Sequence, residues 1–181
     1  RSKWLFGERK DRARRGDRQL TASQKYGMIY QEEFMALEGR RVTQVILNTE
    51  ILKRVECGDF VMSMRSFQGG LEYSPYAGSC SSAYISLKSA VSICPHYFKW
   101  LFKSSRYIEA LSSTSNLVRD GQALRFENFS KVDLPVVPLS DQEAIAGFLD
   151  RKTEQIDRAI EIKEKQIDLL RVHRKIIIQS A

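Results

Sequence analysis

Hydrophobic and polar positions alternate in the first half of the chain, and this period of two predicts β-strands. In residues 59–65, Phe60 and Met62 fall on one face of an extended chain and polar side chains fall mainly on the other. Residues 83–88 alternate in the same way, and residues 42–48 form a β-branched run. The first half of the chain is therefore expected to contain several short strands.

The hydrophobic period becomes helical after Pro95, which can open a helix because its missing N–H would be unpaired there. We expect the aromatic stripe that follows to belong to the core rather than to a surface that stacks on bases. Its members are Tyr97, Phe98, Leu101, Phe102, Ile108 and Leu111. Residues 68–70 predict a turn, and residues 117–129 predict a hairpin around the Asp-Gly pair at 120–121.

The last 40 residues predict one long helix. Ser140 and Glu143 form a capping-box pattern, in which each side chain accepts from the backbone N–H of the other residue. Seam positions then recur in steps of four and three, which is typical of a coiled coil. The alternative is a solvated helix whose isoleucines are incidental. The apolar seam residues are Leu149, Ile156, Ile160, Ile167, Leu170 and Ile177.

These patterns predict an α+β protein: a mixed α/β globular domain followed by a long coiled-coil helix. The change in composition near residues 135–139 places the boundary between a domain at 1–138 and a helix at 139–181. The 43% hydrophobic content is sufficient for a packed core.

Charge adds a hint of a nucleic-acid partner. The net charge is +7, and most of the excess lies at the two ends, because residues 1–20 carry eight basic side chains against three acidic ones. No apolar run reaches the length of a membrane span, and nothing near the start resembles a signal peptide. We therefore expect a cytoplasmic protein without a membrane partner.

Candidate catalytic chemistry is sparse. Three scattered cysteines and two histidines do not provide the paired ligand spacing of a zinc site. Phosphate-binding, dinucleotide and metalloprotease motifs are absent from the sequence. We therefore expect no catalytic residue, no metal and no cofactor in this chain.

Two glycine-containing loops combine arginine and glutamine, the side chains that read guanine and adenine in the major groove. One spans residues 65–70 and follows a predicted strand; the other spans residues 119–125. Taken singly, each loop has the simpler interpretation of a surface salt bridge or a solvated turn.

Three stretches of the chain, residues 20–34, 57–84 and 118–178, together resemble the specificity subunit of type I restriction–modification systems. The most specific part is Pro-Leu-x-x-Gln-x-x-Ile-x-x-Phe-Leu-Asp at residues 138–150, followed by the long helix. The strand and turn GDFVMSMRSFQGG at residues 58–70 precede it in the expected order.

The resemblance implies a non-catalytic subunit with two target-recognition domains, each reading one half of a bipartite DNA site, and two long helices packed antiparallel. Modification subunits that use S-adenosylmethionine would dock on it to methylate adenine, and restriction subunits would add translocation and cleavage. This chain holds one such domain and one helix. It should therefore be an excised half, which the absent initiator Met favours, or a half-length subunit that pairs with a second copy.

The resemblance also places candidate residues. We expect one DNA-facing surface, and we expect the apolar seam named above to pair with a second helix. Two alternatives remain: a coiled-coil interaction module without DNA specificity, and a stand-alone transcription factor, which the resemblance favours least. The predicted DNA-binding residues are Lys25, Tyr26, Arg65, Ser66, Gln68, Gly69, Arg119, Gln122 and Arg125.

Overall fold

The computed structural model describes residues 1–45, 49–114 and 124–180. Within them, eight strands and six α-helices confirm the α+β prediction. The strands are β1 (Phe6–Glu8), β2 (Leu20–Ser23), β3 (Gly27–Tyr30), β4 (Lys53–Val55), β5 (Phe60–Met62), β6 (Glu72–Tyr73), β7 (Gly78–Cys80) and β8 (Ile85–Ser89). The helices are α1 (Gln31–Glu38), α2 (Ser66–Gly69), α3 (Pro95–Leu101), α4 (Ser105–Ser113), α5 (Phe126–Lys131) and α6 (Leu139–Ser180).

The strands form one four-stranded antiparallel sheet, in the order β1-β8-β5-β6, and two antiparallel pairs, β2-β3 and β4-β7. Strand β5 shows the predicted alternation. Phe60 and Met62 belong to one buried cluster, and Val61, which points to the other face, belongs to a second. Both faces of β5 are therefore covered, as expected for an inner strand.

The larger cluster is built around phenylalanine rings that pack edge to face. Phe60 and Phe102 lie 5.0 Å apart at 85°, and Phe6 and Phe60 lie 5.7 Å apart at 88°. Tyr97, Phe98 and Leu111 also belong to this cluster, so the interpretation of the aromatic stripe as core is confirmed. The stripe is divided between α3, which opens at Pro95 as predicted, and α4.

The basic N-terminal segment forms part of the fold. Phe6 is fully buried in the larger cluster, and the Ser2 N–H donates to the Val132 carbonyl. This places the first strand of the sheet within the stretch that the sequence pattern left unassigned.

The start of α6 packs against α3 and against Cys94, which directly precedes α3. Gln142 and Ala146 are both 3% exposed. The Gln142 side chain accepts from the Cys94 N–H at 3.0 Å and donates to the Val137 carbonyl at 2.9 Å. Asp150 accepts from the Trp100 indole at 2.9 Å. The boundary at residue 138 stays a prediction, because the first turns of α6 are joined to the body by these contacts.

The rest of α6 projects into solvent. Every residue from 154 to 180 is exposed, over a length of about 40 Å. The exposed residues include five of the six predicted seam residues: Ile156, Ile160, Ile167, Leu170 and Ile177. The sixth, Leu149, is half-buried.

Three local predictions were wrong in the described residues. Residues 42–45 have no strand structure, and residues 46–48 of that predicted strand lie outside the described residues. In the predicted hairpin, Phe126–Lys131 is a helix, and residues 117–123 lie outside the described residues. The capping box also fails, because α6 begins at Leu139 and the Pro138 carbonyl accepts from the Asp141 and Gln142 N–H groups, which leaves Ser140 inside the first turn.

Candidate nucleic-acid interface

The β2-β3 hairpin presents the first group of candidate residues. Its loop is held by Ser23, whose hydroxyl accepts from the backbone N–H groups of Lys25 and Tyr26 at 3.3 Å each. The fold of this loop leaves the Lys25 side chain exposed at its tip.

The turn after β5 presents the second group. The Ser63 N–H donates to the Ser66 hydroxyl at 2.9 Å, and the Ser66 N–H donates to the Ser63 carbonyl at 3.1 Å. These bonds start α2 directly after Arg65, whose side chain is exposed. The predicted turn at residues 68–70 is therefore the end of a short helix.

Gly70 shows why this segment needs glycine. Its φ of +75° is one that other residues rarely adopt, and a Cβ at this position would overlap the Phe102 carbonyl oxygen. Gly69 is also closely packed, because a Cβ there would overlap the side-chain amide of Gln24. The α2 segment is thus held between the β2-β3 loop and the junction of α3 with α4.

These two loops border a groove of about 600 Å³, which we call the basic groove. Lys25 and Arg65 line it, together with Arg40 and Arg41, which follow the end of α1. Helix α1 ends at Glu38, and Gly39 follows it with a φ of 64° that turns the chain sharply. The groove also contains apolar surface from Phe34, Met64 and Tyr84.

Glu38 organises one wall of the basic groove. Its carboxylate accepts from the Tyr26 hydroxyl at 3.0 Å and pairs with Arg40 at 3.0 Å and Lys25 at 3.5 Å. Hydrogen bonds from Arg40 and then Tyr26 lower the pKa of Glu38 below its ordinary value. Glu38 is therefore ionised at neutral pH and holds three side chains of the wall together.

Glu72 also lines the basic groove and is 3% exposed. Burial raises the pKa of its carboxyl, although Lys103 pairs with it at 2.6 Å and acts in the opposite direction. Lys103 also donates to the Gly69 carbonyl at 3.0 Å, which ties α2 to β6. Lys103 therefore balances the charge of Glu72, and together the two residues join β6 to α2.

The basic groove retains an excess of positive charge. Four cations and two carboxylates line it, and each carboxylate is paired with a cation. Within the residues that the structure describes, Arg41 and Arg65 take part in no ion pair. Free guanidinium groups beside apolar side chains suit a phosphate backbone, guanine edges and the thymine methyl group.

The structure brings some of the predicted DNA-binding residues together and separates others. Lys25 and Arg65 line the same groove, Tyr26 adjoins it through Glu38, and Gln68 is exposed on α2. Arg125 is exposed at the start of α5 and does not line the groove. Arg119 and Gln122 lie outside the described residues.

Ser66 requires a correction. It is 1% exposed, and its hydroxyl accepts the Ser63 amide. A side chain so enclosed has no free surface for a base or phosphate, so its predicted contact with DNA is incompatible with this burial.

Sequence reasoning missed Arg40 and Arg41. The available signal was the Gly-Arg-Arg run directly after a helix, since a glycine that ends a helix directs the next side chains to a new face. It also missed the apolar members of the groove, because nothing local in the sequence connects Phe34 with Tyr84.

Other site chemistry is limited in the part of the chain that the structure describes. There, no group of three or more His, Cys, Asp or Glu side chains is placed to hold a metal ion. The three cysteines are free, and burial raises the pKa of the Cys80 thiol to about 12, which makes it a poor nucleophile. None of the described helices has the length and apolar character needed to cross a bilayer.

The comparison with known families gives one finding. The family model described as the type I restriction modification DNA specificity domain matches residues 9–171. No curated protein matches the chain. The matched stretch contains the basic groove and most of α6, so the groove and the helix belong to one family unit.

Proposed function

Because the chain belongs to the family of type I restriction–modification DNA specificity domains, we propose that it reads one half of a bipartite DNA target through the basic groove. The observation that carries this proposal is the concentration of Lys25, Arg40, Arg41 and Arg65 around one groove. Arginine reads guanine bidentately, and lysine supplies phosphate contacts.

In this proposal the chain selects a site and does no chemistry. Adenine methylation would be performed by modification subunits that carry S-adenosylmethionine, and restriction subunits would add cleavage.

Helix α6 is proposed to set the distance between two recognition domains. The seam from Ile156 to Ile177 would pair antiparallel with a second copy of the helix, or with the second half of a longer subunit. Apolar residues exposed at 48–66% along this seam support a helical partner.

A second apolar row on α6 supports docking of a modification subunit. Ile162, Leu169 and Ile176 repeat every seven residues and are 54–69% exposed. Ile162 lies about 200° around the helix from Ile160, and Leu169 lies about 100° from Leu170, so this row is outside the seam on an outward flank of the helix. A helix that pairs through its seam would still present this row to another protein.

Arg65→Ala tests the groove. We expect a cost of about 1–3 kcal/mol at one base pair of the half-site and a relaxed preference there. Arg106→Ala is the matched control, because Arg106 is also exposed but does not line the groove. Binding would be measured by competition between the selected duplex and single-base variants of it.

Lys25→Ala tests whether a groove residue contacts the phosphate backbone or reads a base. If Lys25 contacts phosphate, its loss should weaken binding to all sequences alike. The alternative function, a coiled-coil module without DNA specificity, predicts no salt-dependent DNA binding by the wild type at all.

A further inference from the structure

A second cluster of cations lies outside the basic groove, in the segment between β1 and β2. Lys10, Arg12, Arg14 and Arg15 are all exposed. We call residues 10–15 the basic loop. Much of the positive excess of the first 20 residues is concentrated in it.

Two carboxylates in or beside the basic loop, Asp11 and Asp17, form their ion pairs with arginines outside it. Asp11 accepts from Arg9 at 3.0 Å, and Arg9 is in turn held by buried Asp59. Asp17 pairs with Arg54 and accepts from the Arg14 backbone N–H at 2.7 Å. Among the described residues, Lys10 and Arg15 form no ion pair, and Arg14 only approaches Glu56 at 3.8 Å. The loop therefore keeps its positive charge.

The basic loop is fixed to the body by its backbone. The Ala13 N–H donates to the Leu52 carbonyl at 3.0 Å, and the Asp11 carbonyl accepts from the Arg54 N–H at 2.9 Å. The Arg12 side chain donates to the Ile51 carbonyl at 3.0 Å. The cations are thus presented on an ordered backbone, which lowers the entropy that binding must remove.

A continuous chain of contacts connects the basic loop with the basic groove. Leu52, the partner of Ala13, lines a second cavity of about 280 Å³. Tyr84 lines both this cavity and the groove, and Lys53 donates to the Tyr84 carbonyl at 2.7 Å. The groove, the small cavity and the loop are therefore neighbours on the molecular surface.

We propose that the basic loop binds the sugar–phosphate backbone of duplex DNA beyond the base pairs that the basic groove reads. The loop contains no Asn, Gln or aromatic side chain, and its four exposed cations suit the phosphates of a duplex. This inference rests on the proposed function and adds a second contact surface to it. The alternative is that the basic loop binds an acidic surface of a partner protein.

The test compares two triple variants of the full chain that remove the same charge. Lys10→Ala/Arg14→Ala/Arg15→Ala removes three exposed cations of the loop and leaves Arg12, whose side chain donates to the Ile51 carbonyl. Lys3→Ala/Lys131→Ala/Lys152→Ala removes three exposed cations elsewhere. Affinity would be measured for a selected target duplex and a scrambled duplex between about 50 and 200 mM salt.

The loop variant should weaken binding to both duplexes by the same factor, about tenfold or more at 100 mM salt. It should also reduce the slope of log affinity against log salt by about 2–3. The control should keep the wild-type slope. Melting curves of both variants should match the wild type, since none of the substituted side chains is buried.

An unchanged affinity and slope in the loop variant would overturn the proposal and leave the loop to a protein partner. Weakening confined to the selected duplex would also overturn it, because that result means base reading. Failure of the proposed function looks different: the wild type would then bind both duplexes equally, while the slope comparison would still decide the role of the loop.

Discussion

The body and the outer part of α6 bury their hydrophobic residues in different ways. In the body, five phenylalanines are fully buried around one another. Residues 154–180 contain no phenylalanine, tyrosine or tryptophan, and their isoleucines and leucines remain about half exposed or more. Large rings fill a compact core, whereas branched aliphatic side chains at seven-residue spacing suit a seam between helices.

We therefore expect the body to determine the stability of the chain and the outer part of α6 to determine its assembly. The body satisfies its apolar surface within one chain, so it is expected to fold as a monomer. The outer helix is supported within the chain mainly by surface pairs such as Glu154 with Arg158 at 2.5 Å and Glu161 with Lys165 at 2.6 Å. Such pairs contribute little, so we propose that a partner helix adds to the stability of this part of α6.

The largest effect is expected in the body. Phe102→Ala removes a fully buried ring that contacts five other aromatic rings of the cluster and should cost about 3–5 kcal/mol of unfolding free energy. Met64→Ala, at a 53% exposed position, should cost less than about 0.5 kcal/mol. Urea unfolding monitored by tryptophan fluorescence measures both, and equal costs would contradict the assignment of the core.

The outer helix should respond through association. Ile160→Asp should weaken self-pairing at least about a hundredfold, because two copies of a buried isoleucine are lost from a two-fold interface. Ile162→Asp is the matched control outside the seam. Sedimentation equilibrium separates the two. A wild-type chain that stays strictly monomeric at tens of micromolar would refute self-pairing.

A smaller effect is expected at the junction of α2 with α3 and α4. Gly70→Ala should destabilise the body by more than about 1 kcal/mol, because the new Cβ meets the Phe102 carbonyl oxygen. Gly58→Ala has a similar φ of +92° but open space, so it isolates the cost of backbone strain. If the two melting temperatures fell equally, the close approach at Gly70 would not matter.

The smallest effect is expected where α6 joins the body. Burial alone would raise the pKa of Asp150, but hydrogen bonds from His96 and Trp100 lower it below 3.8. A lowered folded-state pKa gives stability that is present above pH 3.8 and is lost as the pH falls through the lowered value. Asp150→Asn should therefore cost less than about 1 kcal/mol at neutral pH, and this difference should shrink in acid. A cost that grows on acidification would contradict the assignment.

Local patterns predicted the elements that local sequence governs. The alternation of Phe60, Val61 and Met62, the helix opened by Pro95 and the long α6 are all present. The start of α6 was displaced because the Pro138 carbonyl caps it, while Gln142 uses its side chain to bond across to Cys94. The capping-box pattern at residues 140–143 is local, so it cannot predict that Gln142 bonds to Cys94, which lies 48 residues earlier in the chain.

The basic groove was less predictable for the same reason. Lys25 and Arg65 were identified individually, but Arg40 and Arg41 join them only through the turn at Gly39. Ser66 was misassigned because a serine in a polar loop looks exposed in sequence, whereas its hydroxyl closes the turn with Ser63.

The central claim is that the basic groove reads DNA sequence. The most direct measurement is repeated selection of duplexes from a randomised library by the wild-type chain and by the Arg65→Ala variant, followed by sequencing. We predict that the wild type enriches a short motif and that the variant loses preference at one position of it while keeping the rest. Enrichment of no motif by the wild type, or an identical motif from both proteins, would contradict the role of this groove.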